Sequence, residues 1–262
     1  MAKVSYERRG AAAVLTIERP ERRNAVDPET ADLLLDGYRS FEADEEARAL
    51  VLTGAGDEAF CAGADLKSMA EAGDDPAIAE QWLRERPDGP LGFTRLTSSK
   101  PAIAAISGWA LAGGLELALW CDLRIGSETA RLGFPERRWG VPLIDGGTQR
   151  LPRIVGLGRG LDLILSGRIV EAEEALAIGL LTEVVPPGKQ LERAVEIAEA
   201  LAAFPQETML SDRRAAIEGL GLPLADALAL EAELGSKVAA TGVAGAARFA
   251  SGEGRGGSGA GV

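Results

Sequence analysis

The stretch Ala102–Cys121, AIAAISGWALAGGLELALWC, decides the fold. It approaches the length of a membrane span, yet Ser107, Gly108, Gly113, Gly114 and Glu116 interrupt it. A span takes ~20 mostly apolar residues and does not place such a carboxylate in lipid. The segment therefore reads as a buried strand over Ala102–Ile106, a turn at Gly113-Gly114 and a helix over Leu115–Trp120. A further strand follows at Leu123–Ile125. Strand, turn, helix and strand in that order indicate an α/β core.

On the N-terminal side, Val4 and Tyr6 lead through Arg9-Gly10 to a second strand at Val14–Ile17, a hairpin. Asp27-Pro28 supplies an N-cap and a first helical residue for a helix with an apolar stripe at Leu33, Leu34, Tyr38 and Phe41. Ala49–Thr53 is a buried strand, 54–60 a loop, and 65–71 opens a helix. Residues 73–99 are polar and carry Pro76, Pro87 and Pro90; they read as a mobile flap with a helix at each end. On the C-terminal side, 148–165 forms two short helices parted at Gly156. Glu171–Ile178 is a helix stopped by Gly179. Leu191, Ala194, Val195, Ala198 and Leu201 keep helical spacing, and helices over 206–219 and 223–240 complete a helical end. The division expected is a core over 1–200, a helical region over 201–251 and a disordered tail, SGEGRGGSGAGV, at 252–262.

Composition narrows the chemistry. The 262 residues carry 28 basic and 40 acidic side chains, a formal charge of −12, which repels nucleic acid and acidic membranes alike. There is no histidine, so no imidazole serves as base, acid, triad member or metal ligand. Two cysteines, Cys61 and Cys121, are too few for a disulfide framework or a four-cysteine zinc site. The opening residues, MAKVSYERRG, show no signal peptide, and a reducing cytoplasm is the expected setting. Carboxylates, lysine, tyrosine and backbone groups remain for acid–base work, and no metal is called for.

Several segments are candidates for a site. Gly54–Ala59, GAGDEA, fits a dinucleotide fingerprint after a strand, but no helix opens right after it, so a glycine-rich loop is the better reading. In FCAGADLKSM (60–69) small residues precede a helix start, where free N–H groups can hold developing charge on oxygen. The plain alternative is a turn capped by Asp65. In WALAGGLE (109–116) the same pattern recurs, with Glu116 in the first helical turn among Leu115, Leu117 and Leu119. A carboxylate there either complements the helix dipole, worth ~0.3–1 kcal/mol, or has a function that justifies its burial. Glu136, after Pro135, taken alone is a surface charge.

Together these segments resemble the enoyl-CoA hydratase/isomerase, or crotonase, superfamily. The residues that carry the resemblance are ERPERRNAV (18–26), FCAGADLKSM (60–69), SSKPAIAAISGWALAGGLELALWCDLRI (98–125), LGFPERRWGVPLIDGGTQRLPRIVG (132–156) and EALAIGLLTEVVP (174–186). They cover most of the chain in the family's order. The resemblance implies a spiral of ββα units followed by a C-terminal helical region, assembled as a homotrimer or a dimer of trimers. It implies an acyl-CoA thioester substrate, with coenzyme A as part of that substrate and no further cofactor. The backbone N–H groups of Ala64 and Gly113 would polarise the thioester carbonyl. Glu116 and Glu136 would add water across a 2,3 double bond, Glu116 activating the water and Glu136 protonating the α-carbon. Coenzyme A would lie along Arg22, Arg23, Ala25, Ala62, Ala64, Asp65, Leu66, Lys67 and Gly113; for Arg22, Arg23 and Lys67 the alternative is ordinary solvated charge.

There are departures from the family pattern. Ile144 stands where a glycine usually helps hold the water, Asp145 introduces a third acid, and Trp139 replaces a smaller residue. These keep open an enoyl-CoA isomerase, another reaction of the family, or an acyl-CoA binding protein without turnover.

Overall fold

After the N-terminal hairpin, the strands of this chain come in pairs that place one strand in each of two sheets. The computed structural model describes residues 2–71, 80 and 84–252, which divide into two units, residues 1–198 and 199–262.

In the first unit, the hairpin β1 (Val4–Arg9) and β2 (Ala12–Ile17) pairs antiparallel, Val4 facing Ile17. Asp27 caps α1 (Pro28–Ala43), its Oδ1 accepting the Thr30 N–H at 2.8 Å. β3 (Ala49–Gly54) lies parallel to β2, and the short β4 (Ala59–Cys61) starts the second sheet. α2 (Leu66–Glu71) follows. β5 (Ala102–Ile106), β6 (Trp109–Leu111) and α3 (Gly113–Trp120) repeat the pattern, then β7 (Leu123–Ser127) and β8 (Arg131–Gly133). With β9 at Ile169–Glu171 and β10 at Glu183–Val185, the first sheet has the order β1-β2-β3-β5-β7-β10, the second β4-β6-β8-β9. From β3 onward each successive ββ pair adds one strand to each sheet, which is the expected ββα spiral. β3 and β5 are buried along nearly their whole length, as parallel strands covered on both faces must be.

Past β8, a 3-10 turn over Pro135–Trp139 leads to α4 (Gly147–Val155) and α5 (Leu157–Ser166), parted at Gly156. β9 (Ile169–Glu171), α6 (Ala172–Ala177) and β10 (Glu183–Val185) close the sheets, and α7 (Gln190–Ala203) leads out. The short strands β4, β6 and β8 to β10 were not expected from sequence: at three residues each, they are too brief for a period-two pattern.

The flap reading of 73–99 needs correction. Residues 72–79 and 81–83 lie outside the described residues. Over 85–99 there are turns and bends, not a helix, and Gly89 and Gly92 adopt φ of +112° and +106°. Far from being a flap, this part is anchored in the core. Leu91, Phe93 and Thr94 are buried, and Phe93 stacks on Tyr38 at 5.3 Å and meets Trp120 edge-on at 4.6 Å. Tyr38 Oη and Trp120 Nε1 donate to the carbonyls of Thr97 and Leu96.

In the second unit, α8 (Gln206–Gly219) packs on α9 (Leu224–Lys237) and α10 (Ala239–Ala250). The single helix expected over 223–240 is broken at Val238. Beyond Gly252 the tail lies outside the described residues. No helix of the described residues is long and apolar enough to cross a membrane.

Candidate active site

Two loops meet where the second sheet gives way to helices. One runs through Ala62–Asp65 ahead of α2, the other through Leu111–Gly113 into α3. They touch closely enough that a methyl group at Gly63 would stand 2.9 Å from Gly113 N and 3.0 Å from Ala112 Cβ. The first loop is pinned to Val26, whose N–H donates to Gly63 O at 2.8 Å and whose carbonyl accepts the Asp65 N–H at 2.9 Å. That pattern leaves the Ala64 N–H out of the ladder. Gly113 is the first residue of its helix, so its N–H has no intrahelical acceptor either. Neither group donates to an acceptor among the described residues. Ala112, just before, is held at φ 51°, ψ −126°. Backbone strain of this kind costs ~1–3 kcal/mol and persists only where the surroundings enforce it.

Glu116, one turn into α3, is 2 % exposed. Its Oε1 accepts two backbone N–H groups across the chain, from Asp145 at 3.0 Å and Gly147 at 2.7 Å. Gly147 leaves room for this contact. A Cβ there would lie 3.0 Å from Glu116 Cγ and Oε1 and 3.0 Å from Phe134 Cζ. Burial pushes the Glu116 carboxyl up to about 7; the Gly147 N–H opposes this and the Asp145 and Glu136 charges add to it.

Glu136 sits in the 3-10 turn after Pro135 and is 5 % exposed, not the surface charge its local sequence suggests. Neither of its carboxylate oxygens has a hydrogen-bond partner among the described residues. A buried carboxylate without partners is costly and is drawn toward its neutral form; burial accordingly raises its pKa. Asp145 is buried as well, with Oδ1 accepting the Leu91 N–H at 3.1 Å and the Thr94 hydroxyl.

The remaining sequence candidates lie on the Ala62–Asp65 side. Arg22, Arg23, Leu66 and Lys67 are exposed, Ala62 and Ala64 are half-buried, and Ala25 is buried. Arg23 pairs with Glu58 at 2.7 Å. The Asp65 side chain turns inward: Oδ1 caps the Ser68 N–H and Oδ2 pairs with the buried Arg19 at 3.0 Å. Its side chain shapes the loop. Sequence reading passed over two residues. Arg19 also pairs with Asp27 at 3.1 Å. Asn24, buried at φ 55°, donates to the carbonyls of Ala55 and Ala59 and accepts the Arg19 N–H. An Asn in a polar run before a helix was the available signal. Trp139 is exposed. Among the described residues there is no cluster of acidic or cysteine side chains able to hold a metal ion.

Two buried carboxylates, the Glu136 charge acting on Glu116, and two unspent backbone donors are groups suited to acid–base chemistry on a substrate that develops charge on oxygen. Residues 7–250 match the family model described as enoyl-CoA hydratase/isomerase, and the chain belongs to that family. It is 39 % identical to the short-chain-enoyl-CoA hydratase of Clostridium acetobutylicum, over 88 % of this chain and 87 % of the relative. It is 36 % identical to the crotonyl-CoA hydratase of Syntrophomonas wolfei, again over 88 % and 87 %. The crystal structure of an enoyl-CoA hydratase from Bacillus anthracis superposes with a TM-score of 0.87, at 32 % identity, over 95 % of this chain and 96 % of that one.

The raised Glu116 pKa has a signature in stability. The native carboxyl stays protonated up to about 7, while in the unfolded chain it ionises near 4.5. The native state therefore holds the extra proton between those values, and this contribution to stability declines as pH rises through that window. In urea titrations, Glu116→Gln should remove this share of the decline between about pH 4.5 and 7; an unchanged slope would mean that Glu116 ionises normally.

Proposed function

We propose that this protein is an enoyl-CoA hydratase adding water syn across the 2,3 double bond of a 2-enoyl-CoA thioester. The observation that carries this reading is the pair Glu116 and Glu136: two buried carboxylates, one held by backbone donors and the other without a hydrogen-bond partner among the described residues. In this proposal the N–H groups of Ala64 and Gly113 converge on the thioester carbonyl. Glu116 takes a proton as the oxygen of water bonds to C3. The electron pair of the double bond moves into an enolate whose oxygen the two donors stabilise. Glu136 then delivers a proton to C2, and exchange between the carboxyls and solvent resets the pair. In comparable sites, loss of one oxyanion donor costs ~2.7–4 kcal/mol. Two interacting carboxylates titrate as a unit, so one holds a proton while the other is ionised.

Coenzyme A, on this reading, is part of the substrate and follows the Arg22–Ala25 and Ala62–Lys67 loops, with the exposed Arg22 and Lys67 near its phosphates. The helical region 201–251 is proposed as the self-association surface. Phe204, Leu220, Leu224, Leu228, Val243 and Phe249 are exposed on the single chain, and apolar surface of that kind marks an interface. Both cysteines are free and buried, in keeping with a cytoplasmic setting.

Crotonyl-CoA absorbance at its enone band should fall on adding the protein, and Glu116→Gln and Glu136→Gln should each slow that fall by at least ~10²-fold. An intact rate in either variant would remove that residue from the chemistry; double-bond migration without hydration would make the protein an isomerase. Light scattering should give about 82 kDa, three chains of 27.3 kDa, or twice that; a 27.3 kDa particle would contradict the assembly.

A further inference from the structure

Asp145 is the buried acid that the hydration chemistry above does not use. Its backbone and its side chain face two different parts of the site. The backbone N–H donates to Glu116 Oε1 at 3.0 Å. The carboxylate accepts the Leu91 N–H at 3.1 Å and the Thr94 hydroxyl. Arg150 doubles this connection, donating to Asp145 O at 2.8 Å and to Thr94 O at 2.5 Å. Leu91, held by Asp145, lies over the other half of the site: its Cδ1 is 2.4 Å from where a Cβ on Gly113 would stand.

A loop residue that donates to Glu116 can place that carboxylate only as well as the loop itself is placed. Ile144, Asp145 and Gly146 form no regular element, so their position is set by side-chain bonds to the Leu91–Arg95 segment. That segment is in turn anchored by Phe93 in the aromatic cluster with Tyr38 and Trp120. Asp145 is the junction. We infer that Asp145 is a positioning residue for hydration, fixing Glu116 through its N–H and the Leu91 cover of Gly113 through its carboxylate. It acts as a hydrogen-bond acceptor and gives no proton to the substrate. The inference rests on the hydratase reading and names a residue that supports it.

Acceptor and acid make different demands on the side chain. Asparagine keeps an acceptor oxygen but has no acidic proton; alanine has neither. Displacing a catalytic group by about an ångström can cost ~10²-fold. Asp145→Ala should therefore lower kcat for crotonyl-CoA hydration by between ~10- and ~10²-fold, with KM within about threefold of wild type, because the coenzyme A loops are untouched. Asp145→Asn should restore kcat to within about tenfold of wild type, and Thr94→Val, which removes one of the two donors to the carboxylate, should fall between. If Asp145→Ala does not fold, the Asn and Val variants carry the test. Exchange of the α-proton of butyryl-CoA in deuterated water is followed in parallel, since it needs the oxyanion donors and a carboxylate but no water addition. Asparagine and alanine variants equally impaired would make Asp145 a catalytic acid and overturn the inference, as would kcat unchanged in the alanine variant or a loss confined to KM. Wild-type exchange without hydration would remove the hydratase reading alone, and the order of the variants in exchange would still decide the role of Asp145. Neither reaction in the wild type would overturn both.

Discussion

One acceptor atom, Glu116 Oε1, ties the site together. It takes N–H groups from Asp145 and Gly147, and so joins the first turn of α3 to the start of α4 across some thirty residues of chain. Burying a carboxylate is unfavourable unless donors replace its water. Here two backbone donors do so on one oxygen, and burial still wins, raising the pKa of the group to about 7. That balance suits a proton carrier: a fully solvated carboxylate is too weak a base, and one with more donors would be weaker still. The absence of a side chain at Gly147 leaves room for this contact.

The other half of the site depends on backbone alone. Gly63, at φ +91°, lets two loops approach to a distance that a side chain there would prevent, and Ala112 is held in a costly conformation at the junction. Behind the first loop, a buried group of Arg19, Asp27 and Asp65 fixes its course, with Lys3 completing the charge balance at Asp27. Such a group adds little net stability. Its value here is geometric: Arg19 bridges Asp27 and Asp65, and removing it would strip the buried Asp65, next to Ala64, of the cation it pairs with.

Much of this was legible in the sequence. Regular elements with strong local patterns, such as α1 behind Asp27-Pro28 and β5 with its run of small apolar residues, follow from capping and periodicity. The turns before α2 and α3 also stood out, because small residues followed by a helix start leave donors free. Two features were less accessible. Leu91 and Phe93 are core residues inside a polar, proline-containing stretch, and nothing local distinguishes them from loop residues; Phe93 is buried against Tyr38 and Trp120, and Leu91 lies over Gly113, all distant in sequence. The side chain of Asp145 was visible as an unusual acid, but its two bonds to the 91–94 segment depend on that same packing. Glu136 is the intermediate case: in its local sequence it is an ordinary loop charge, and it gained meaning only from the resemblance of the whole chain to a family.

The central claim is that Glu116 and Glu136 work as a unit on one water. A double-mutant cycle on crotonyl-CoA hydration, comparing Glu116→Gln, Glu136→Gln and the double variant, measures this directly. The account predicts a double variant little slower than the slower single one, since removing either carboxylate already disables the pair. Losses that multiply would show two groups acting independently and would contradict it.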